Sequence, residues 1–494
     1  MMPKDFRADV VVVGGGLAGL RAALAAAEQG ASVTVLSQSA PASTEIMGIN
    51  APVAPGDSEE SYAQDMMRSG CELASPVHSR VMAKESLKQI QKLETLGLRF
   101  DKDADQNYQT LHALGCTYPR VVHQGSETGR MAMKALRKSC MDRGVVFQKG
   151  AVNGLLQWQE RICGVTVNDE YLLAGSVVLC AGGMSALHPF TTYPAGLQGT
   201  MIALAIKAGA EMVDVEFQQF EPCVIVYPSR LRGRILPTTL LKEGGVLRDP
   251  QGLDILKSQG IALPGLQKDV LSRLLSEQIQ RKSTPHGGVW FDLSQVDEVV
   301  LKRDHSIFYR PVLMEGIDLC NTPIEVAPAA HTHLGGLRID EWGRTGVPGL
   351  YAAGEICGGI HGANRLGGGS GAETVVFGAR AGIAATEDNR MPGKQLTRIT
   401  SCAPSPHELQ QIRKVMEQCA GITRKEGSLR AGLEQLTACT SDQAMLAKAQ
   451  LMASISRRES RGVFNRSDAD LYSRTFRTSI RYQDGQLLQY EEVT

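Results

Sequence analysis

Three groups of residues are suited by type and spacing to chemistry. The first is Gly14-x-Gly16-x-x-Gly19, with Leu17 and Ala18 inside it, which follows a run of valines and opens an alanine-rich stretch closed by Gly30. Glycines at this spacing between a strand and a helix permit a tight turn, close approach of backbone to a pyrophosphate and tight helix–strand packing. The helix N-terminus then turns its partial positive charge towards the phosphates. The second group lies in VPGLYAAGE and HGANRLGGGSGAETVVFGARAG. A strand delivers Gly354 and Glu355, and seven glycines fall between residues 362 and 382, around Asn364, Arg365, Ser370 and Gly371. Glycine at that density costs backbone entropy, and a flat ring lying against main-chain amides at a helix start is a reason for it. The third group is His331 and His333 in AAHTHLGG. No Cys or acidic ligand lies at metal-binding local spacing, so the pair predicts one histidine facing a reactant and one packing, with no metal.

The elements that must hold these groups are legible in outline. Ala8–Val13, the alanine-rich helix and ASVTVLS make a strand–helix–strand unit whose β-branched residues suit a buried sheet. Ser37 and Gln38 stand at the end of the second strand, where an acid gripping a ribose is usual, which weakens a plain NAD reading. SVVLCAGG is an apolar strand running into Ala181 and Gly182, a second approach of backbone to a ligand. Residues 58–98 and 126–143 read as helices. The stretch from about Cys223 to Thr322 changes character and reads as an insertion, and residues 405–494 read as helical with little strand signal.

Composition narrows the function classes. The 494 residues carry 52 Lys plus Arg against 52 Asp plus Glu, a formal net charge of zero, so no global field holds nucleic acid or an acidic membrane surface. Flavin-dependent RNA modification is disfavoured on the same ground and by the absence of paired cysteines. No apolar run reaches membrane-spanning length, and no signal peptide is visible in MMPKDFRAD. The 11 cysteines are scattered without a CxxC pair, as expected of reduced thiols in a cytoplasmic protein without an iron–sulfur or c-type haem site of its own.

In order along the chain, VVVGGGLAGLRAALAAAEQGASVTVLS, TTYPAGLQGTMIALAIKAGAEMVDVEFQQFEP, HTHLGGLRID with GVPGLYAAGEICGGIHGANRLGGGS, and SRRESRGVFNRSD resemble the flavoprotein subunits of succinate dehydrogenase and fumarate reductase, and L-aspartate oxidase. The resemblance implies an α/β fold. A Rossmann-like FAD-binding domain would come from residues 1–220 and 325–390, an inserted α+β capping domain from 221–324, and a C-terminal helical domain from 400–494. It implies FAD against Gly48 and the glycines and polar residues named above, and hydride transfer between flavin N5 and a small carboxylate-bearing substrate. It also matches His331 and Arg365 to carboxylate-binding positions, and Glu355 and Ser370 to flavin contacts. Electrons would leave to a separate iron–sulfur protein, a quinone or oxygen.

Departures from the family pattern are informative. QFHP is QFEP here, so Glu221 replaces a carboxylate-binding histidine. Lys268, in QKD, takes the place of the proton-delivering arginine, and Thr238 stands near the position of its carboxylate neighbour. SAPASTEIMGIN offers no histidine for a covalent flavin link, so FAD is expected to be non-covalent. Two unit charges about 4 Å apart at an effective dielectric near 20 repel by about 4 kcal/mol, so an ionised Glu221 disfavours plain succinate or fumarate. A substrate with one carboxylate and a cationic or hydroxyl group fits better, unless Glu221 and Lys268 simply pair. L-aspartate oxidation is an alternative, weakened because ALGCTYPR replaces that enzyme's GGHS-like stretch. A flavin-binding electron-relay subunit without the family chemistry is another.

Overall fold

The computed structural model describes all residues apart from 1–6, 39–40, 114, 264–265, 389, 394, 470–474 and 494. The polar lead MMPKDF, Ser39 and Ala40 of SAPASTEIMGIN, and Leu114 of ALGCTYPR therefore lie outside the described residues. The strand Arg7–Val13 pairs in parallel with Val33–Ser37 on one side and with Glu170–Leu179 on the other, so that Val10 lies between Val33 and Ser176. Val10, Val11 and Val12 are wholly buried, as the unbroken β-branched run requires of a strand covered on both faces. Val146–Lys149 and Leu350–Ala352 extend the parallel part. An antiparallel meander, Val152–Trp158 and Arg161–Val167 with Thr397–Thr400 at its edge, completes an eight-stranded sheet. The helices Leu17–Glu28 and Gly369–Glu387 pack together on this sheet. They approach so closely that a Cβ on Gly382 would lie 2.2 Å from the Ala22 carbonyl oxygen. Part of the glycine density near residue 380 thus serves helix packing.

A second sheet is built on two ten-residue antiparallel strands, Gln218–Tyr227 and Ile324–His333, with Val289–Asp292 and Val246–Arg248 added beyond them. The pairing slips at Gln219/Phe220 and again between Glu221 and Val224. Such irregularities re-aim side chains and recur beside functional sites. At one end of the two strands, Cys223, Ile225, Ile324 and Val326 join an apolar cluster formed with residues of the segment between them, among them Leu271, Leu275 and Phe291. At the other end the strands present Gln219, Glu221, His331 and Thr332.

The C-terminal region departs from the sequence reading. Its helices Pro406–Cys419, Glu426–Gln435 and Asp442–Ser456 are followed by a hairpin, Phe476–Gln483 and Gln486–Val493, which joins Met212–Val213 in a five-stranded sheet. The signal for it is present: Phe476, Thr478 and Ile480 alternate inwards, and Asp484-Gly485 turns the chain with both residues at positive φ, 51° and 80°.

SRRESRGVFNRSD owes its residue types to a buried charge network. Arg457 Nε lies 2.6 Å from Glu216 Oε1 and its Nη1 lies 2.8 Å from Glu459 Oε1, and Arg461 Nε reaches the same Glu459 oxygen at 2.6 Å. Arg424 donates to the Glu216 carbonyl at 2.7 Å, and the Thr478 hydroxyl donates to its carboxylate. Glu216 lies just ahead of Gln218, so the network fixes the start of the strand that carries Glu221. Removing one partner of a buried ion pair costs about 3–5 kcal/mol. Arg457→Leu is therefore expected to lower the unfolding free energy in urea by about that amount. Arg458→Ala, at a side chain 71% exposed, should leave the midpoint unchanged.

Candidate active site

One cavity of about 460 Å³ connects the three groups of residues picked out by type. At one end the strand Arg7–Val13 runs into Gly14, held at φ 121°, where a Cβ would lie 2.1 Å from the Cys180 carbonyl oxygen. Behind it Gly16 starts the helix Leu17–Glu28 without a capping side chain and with no acidic residue in the first turn. The Leu17 amide alone donates to Ser43 Oγ, at 3.0 Å. Gly199 and Gly368 start the helices Thr200–Lys207 and Gly369–Glu387, also uncapped and without an acid in the first turn. All three helix N-termini line the same cavity. Three positive dipole ends suit a ligand carrying a pyrophosphate and ring carbonyls.

Most of the residues expected around a cofactor lie in this wall. Gly14, Gly16, Leu17, Ala18, Ser37, Gln38, Gly48, Ala181, Gly182, Gly354, Glu355, Asn364, Arg365 and Ser370 all line the cavity. Gly19 and Gly371 are not part of its wall. A Cβ on Gly19 would stand 2.0 Å from the Gly14 carbonyl oxygen, and one on Gly371 2.4 Å from that of Gly48. Both keep backbone segments together behind the wall.

At the far end Arg365 is held by neutral acceptors. Its Nη2 donates to Gln219 Oε1 at 3.0 Å and Thr332 Oγ1 at 3.4 Å, and its Nη1 to Ser370 Oγ and the Leu366 carbonyl, each at 3.3 Å. Its Nε is buried without an acceptor. Among the described residues no carboxylate lies within ion-pair distance of this guanidinium, so an anionic ligand is what would compensate it.

Glu221 is 2% exposed, and Lys268, at the first turn of the helix Lys268–Arg281, donates to its Oε2 at 2.6 Å. Burial raises the Glu221 carboxyl, but Lys268, His331 and Arg365 outweigh it and bring the group below its ordinary range. The negative charge expected from QFEP is therefore present but compensated, and repulsion of a second carboxylate is largely cancelled. Glu221 Oε1 remains buried without a donor.

The two histidines separate as their alternatives allowed. His331 stands in the cavity wall with Nδ1 2.8 Å from Thr192 Oγ1 and Nε2 3.9 Å from Glu221 Oε2. Burial pushes it down to about 4, so the ring is neutral at physiological pH. His333 is buried between the carbonyls of Gly335 and Val215, at 2.7 and 3.0 Å. Among the described residues no group of three or more His, Cys, Asp or Glu could hold a metal ion.

The sequence reading missed Tyr193, whose hydroxyl donates to Glu355 Oε2, while the His333 amide donates to Oε1 at 2.9 Å. It also missed Gln219, Thr192 and Thr332. The only signal was adjacency: TTY precedes PAG, and Gln219 sits two residues before Glu221 in QFEP. Thr238 lies in the wall as well, beside Thr239 and Lys242.

An α/β sheet that feeds a glycine turn and uncapped helices into one cavity, also lined by a guanidinium, defines a dinucleotide-binding protein. Residues 9–370 match the FAD-binding domain family described as FAD_binding_2, and the chain belongs to it: it is an FAD-dependent oxidoreductase. A fumarate reductase (CoM/CoB) subunit from Methanothermobacter marburgensis is 32% identical over 404 residues, covering 78% of this chain and 74% of that protein. The L-aspartate oxidase of Pyrococcus furiosus is 31% identical over 475 residues, 95% of this chain and 97% of that one. Among solved structures, a quinol–fumarate reductase chain with menaquinol molecules matches with a TM-score of 0.88 at 22% identity, covering 99% of this chain and 98% of that one. Sdh1 of Mycobacterium smegmatis in complex with UQ1 matches at 0.85 and 25% identity, covering 99% and 94%. Among the described residues no helix is long and apolar enough to cross a membrane.

Glu355 yields a test. Burial, reinforced by Glu373, raises its carboxyl from 4.5 to about 7 against the lowering effect of Tyr193, the His333 amide and Arg365. Between those values the folded chain binds more protons at this site than the unfolded one, so its stability falls as pH rises through the interval. Glu355→Gln removes that contribution. Melting temperatures of the two cofactor-free proteins should converge at acid pH and diverge towards pH 7; parallel curves would contradict the assignment.

Proposed function

We propose that this protein oxidises or reduces a small carboxylate-bearing substrate at the carbon beside the flavin ring, with FAD held non-covalently. The observation that carries the reading is Arg365: a guanidinium at the cavity end, gripped by Gln219, Thr332 and Ser370, with no carboxylate partner among the described residues. Its planar fork suits two carboxylate oxygens, and orienting the carboxylate there fixes which carbon meets the ring. Bound FAD supplies hydride exchange at N5. His331, neutral, adds a hydrogen bond to the carboxylate end. Lys268 moves the proton at the neighbouring carbon, and the Glu221 carboxylate keeps it positioned and charged.

The compensated Glu221–Lys268 pair refines the substrate. Glu221 Oε1 has no donor, so a substrate carrying a hydroxyl or amino group next to the reacting carbon fits better than an unsubstituted dicarboxylate. Amino-acid oxidation of the L-aspartate oxidase type is the second reading. It is favoured by the same oxygen, which would accept from an ammonium, and by the relatives named L-aspartate oxidase. Electrons pass to or from a separate iron–sulfur protein or a quinone, or leave to oxygen.

Anaerobic mixing of the FAD-loaded protein with enoates, 2- and 3-hydroxy acids and amino acids tests the proposal through flavin absorbance. At least one class should bleach the oxidised flavin or restore the reduced one, and a flavin inert to all of them would point to an electron-relay subunit. Arg365→Ala should retain FAD but lose on the order of a hundredfold or more in kcat/KM for the active compound. Lys268→Met should lose roughly 10²–10⁴ in kcat.

A further inference from the structure

We propose that Asn364 is a positioning residue for Arg365: its side-chain amide locks the Gln219 amide in the one orientation that offers the guanidinium an oxygen. Its bearing on substrate rests on the carboxylate-binding role proposed above for Arg365. The orientation follows from groups that can only donate. A guanidinium has no acceptor, so the Gln219 atom 3.0 Å from Arg365 Nη2 is the oxygen, Oε1. Gln219 Nε2 then donates to Asn364 Oδ1 at 3.2 Å. That oxygen is fixed a second time by the Arg365 backbone amide, which donates to it at 2.9 Å. Asn364 Nδ2 is left to donate to Gln267 Oε1 at 3.4 Å, at the residue before Lys268. Turning over the Gln219 amide would set its N–H groups against the guanidinium. Turning over the Asn364 amide would set them against Gln219 Nε2 and the Arg365 amide. The chain therefore runs in one direction only.

Both links of this chain are anchored. Gln219 lies where the pairing of its strand with Ile324–His333 slips, and it is buried. Asn364 is buried too, so a polar group left unmet on either has no ready access to water. Just ahead of Asn364, the Ala363 amide donates to the Gly70 carbonyl at 3.0 Å, and the Val463 amide donates to the Ala363 carbonyl at 2.9 Å. The hydroxyls of Thr332 and Ser370 also accept from Arg365, at 3.4 and 3.3 Å, but a hydroxyl rotates and can equally donate elsewhere. Gln219 is nearer than either and has fixed polarity. Without Asn364 its amide is free to swing away or turn over, and the guanidinium loses the contact that sets its plane.

The test uses the FAD-loaded protein with crotonate as the carboxylate probe, its Kd read from flavin absorbance. Asn364→Leu and Gln219→Met should each raise Kd about tenfold. The double variant should also lose only about tenfold, because Asn364 acts through Gln219. Wild-type affinity in Asn364→Leu overturns the proposal, and so does a double variant weakened about a hundredfold, the product of two independent effects. Labelling with ¹⁵N-arginine gives a second readout that needs no probe, with the Arg365 signals identified by their loss in Arg365→Lys. In the wild type its Nη signals should be separate, as in a guanidinium held against rotation, and in Asn364→Leu they should merge. Wild-type signals already averaged by rotation overturn the proposal even if Asn364→Leu does not fold. Crotonate that fails to bind the wild type, while the Nη signals still respond to Asn364→Leu, upholds the positioning by Asn364 and refutes instead the carboxylate-binding role given to Arg365.

Discussion

The site depends on the antiparallel pairing of Gln218–Tyr227 with Ile324–His333. These two strands bracket residues 228–323 and also form one wall of the cavity. Their slips in register, at Gln219/Phe220 and between Glu221 and Val224, bring residues of both strands to the reactant end. A regular ladder would keep side chains at a strict period of two and could not be adjusted locally. The stem is fixed from behind by Glu216, which the buried Arg457 holds at 2.6 Å, so the C-terminal region acts on the active site through strand placement.

Electrostatics at the reactant end are arranged in two different ways. Glu221 and Lys268 compensate each other within the protein, so their contribution to ligand binding comes through the unfilled Oε1 and the remaining ammonium protons. Arg365 is surrounded by neutral acceptors that orient its plane without neutralising it. The first arrangement discriminates through hydrogen bonding, and the second through charge. Because Lys268 lies on the helix Lys268–Arg281, between the two strands in sequence, and Arg365 follows the second of them, both must be in place before a substrate meets the complete set of groups.

Much of this was legible from residue types. The glycine turn, its flanking strands and the segment around Arg365 follow from local rules about backbone approach and sheet burial, and the cavity gathers nearly all of the residues so chosen. Gly19 and Gly371 show the limit, since a glycine needed for backbone packing and one needed beside a ligand have the same letter. The terminal hairpin was legible too, in the alternation of FRTSIRYQ and the Asp484-Gly485 turn, but the helical character of residues 406–456 masked it.

The sequence by itself determined the cofactor and the class of chemistry, because phosphate-binding turns are contiguous and carry their own spacing. Tertiary structure decided which charges meet. Glu221 and Lys268 are 47 positions apart and Thr192 and His331 are 139 apart, yet both pairs are in hydrogen-bond contact. Coulomb and hydrogen-bond energies depend on separation in space, which only the folded chain defines, so the state of Glu221 and the orientation of His331 could not be read from their neighbours in sequence.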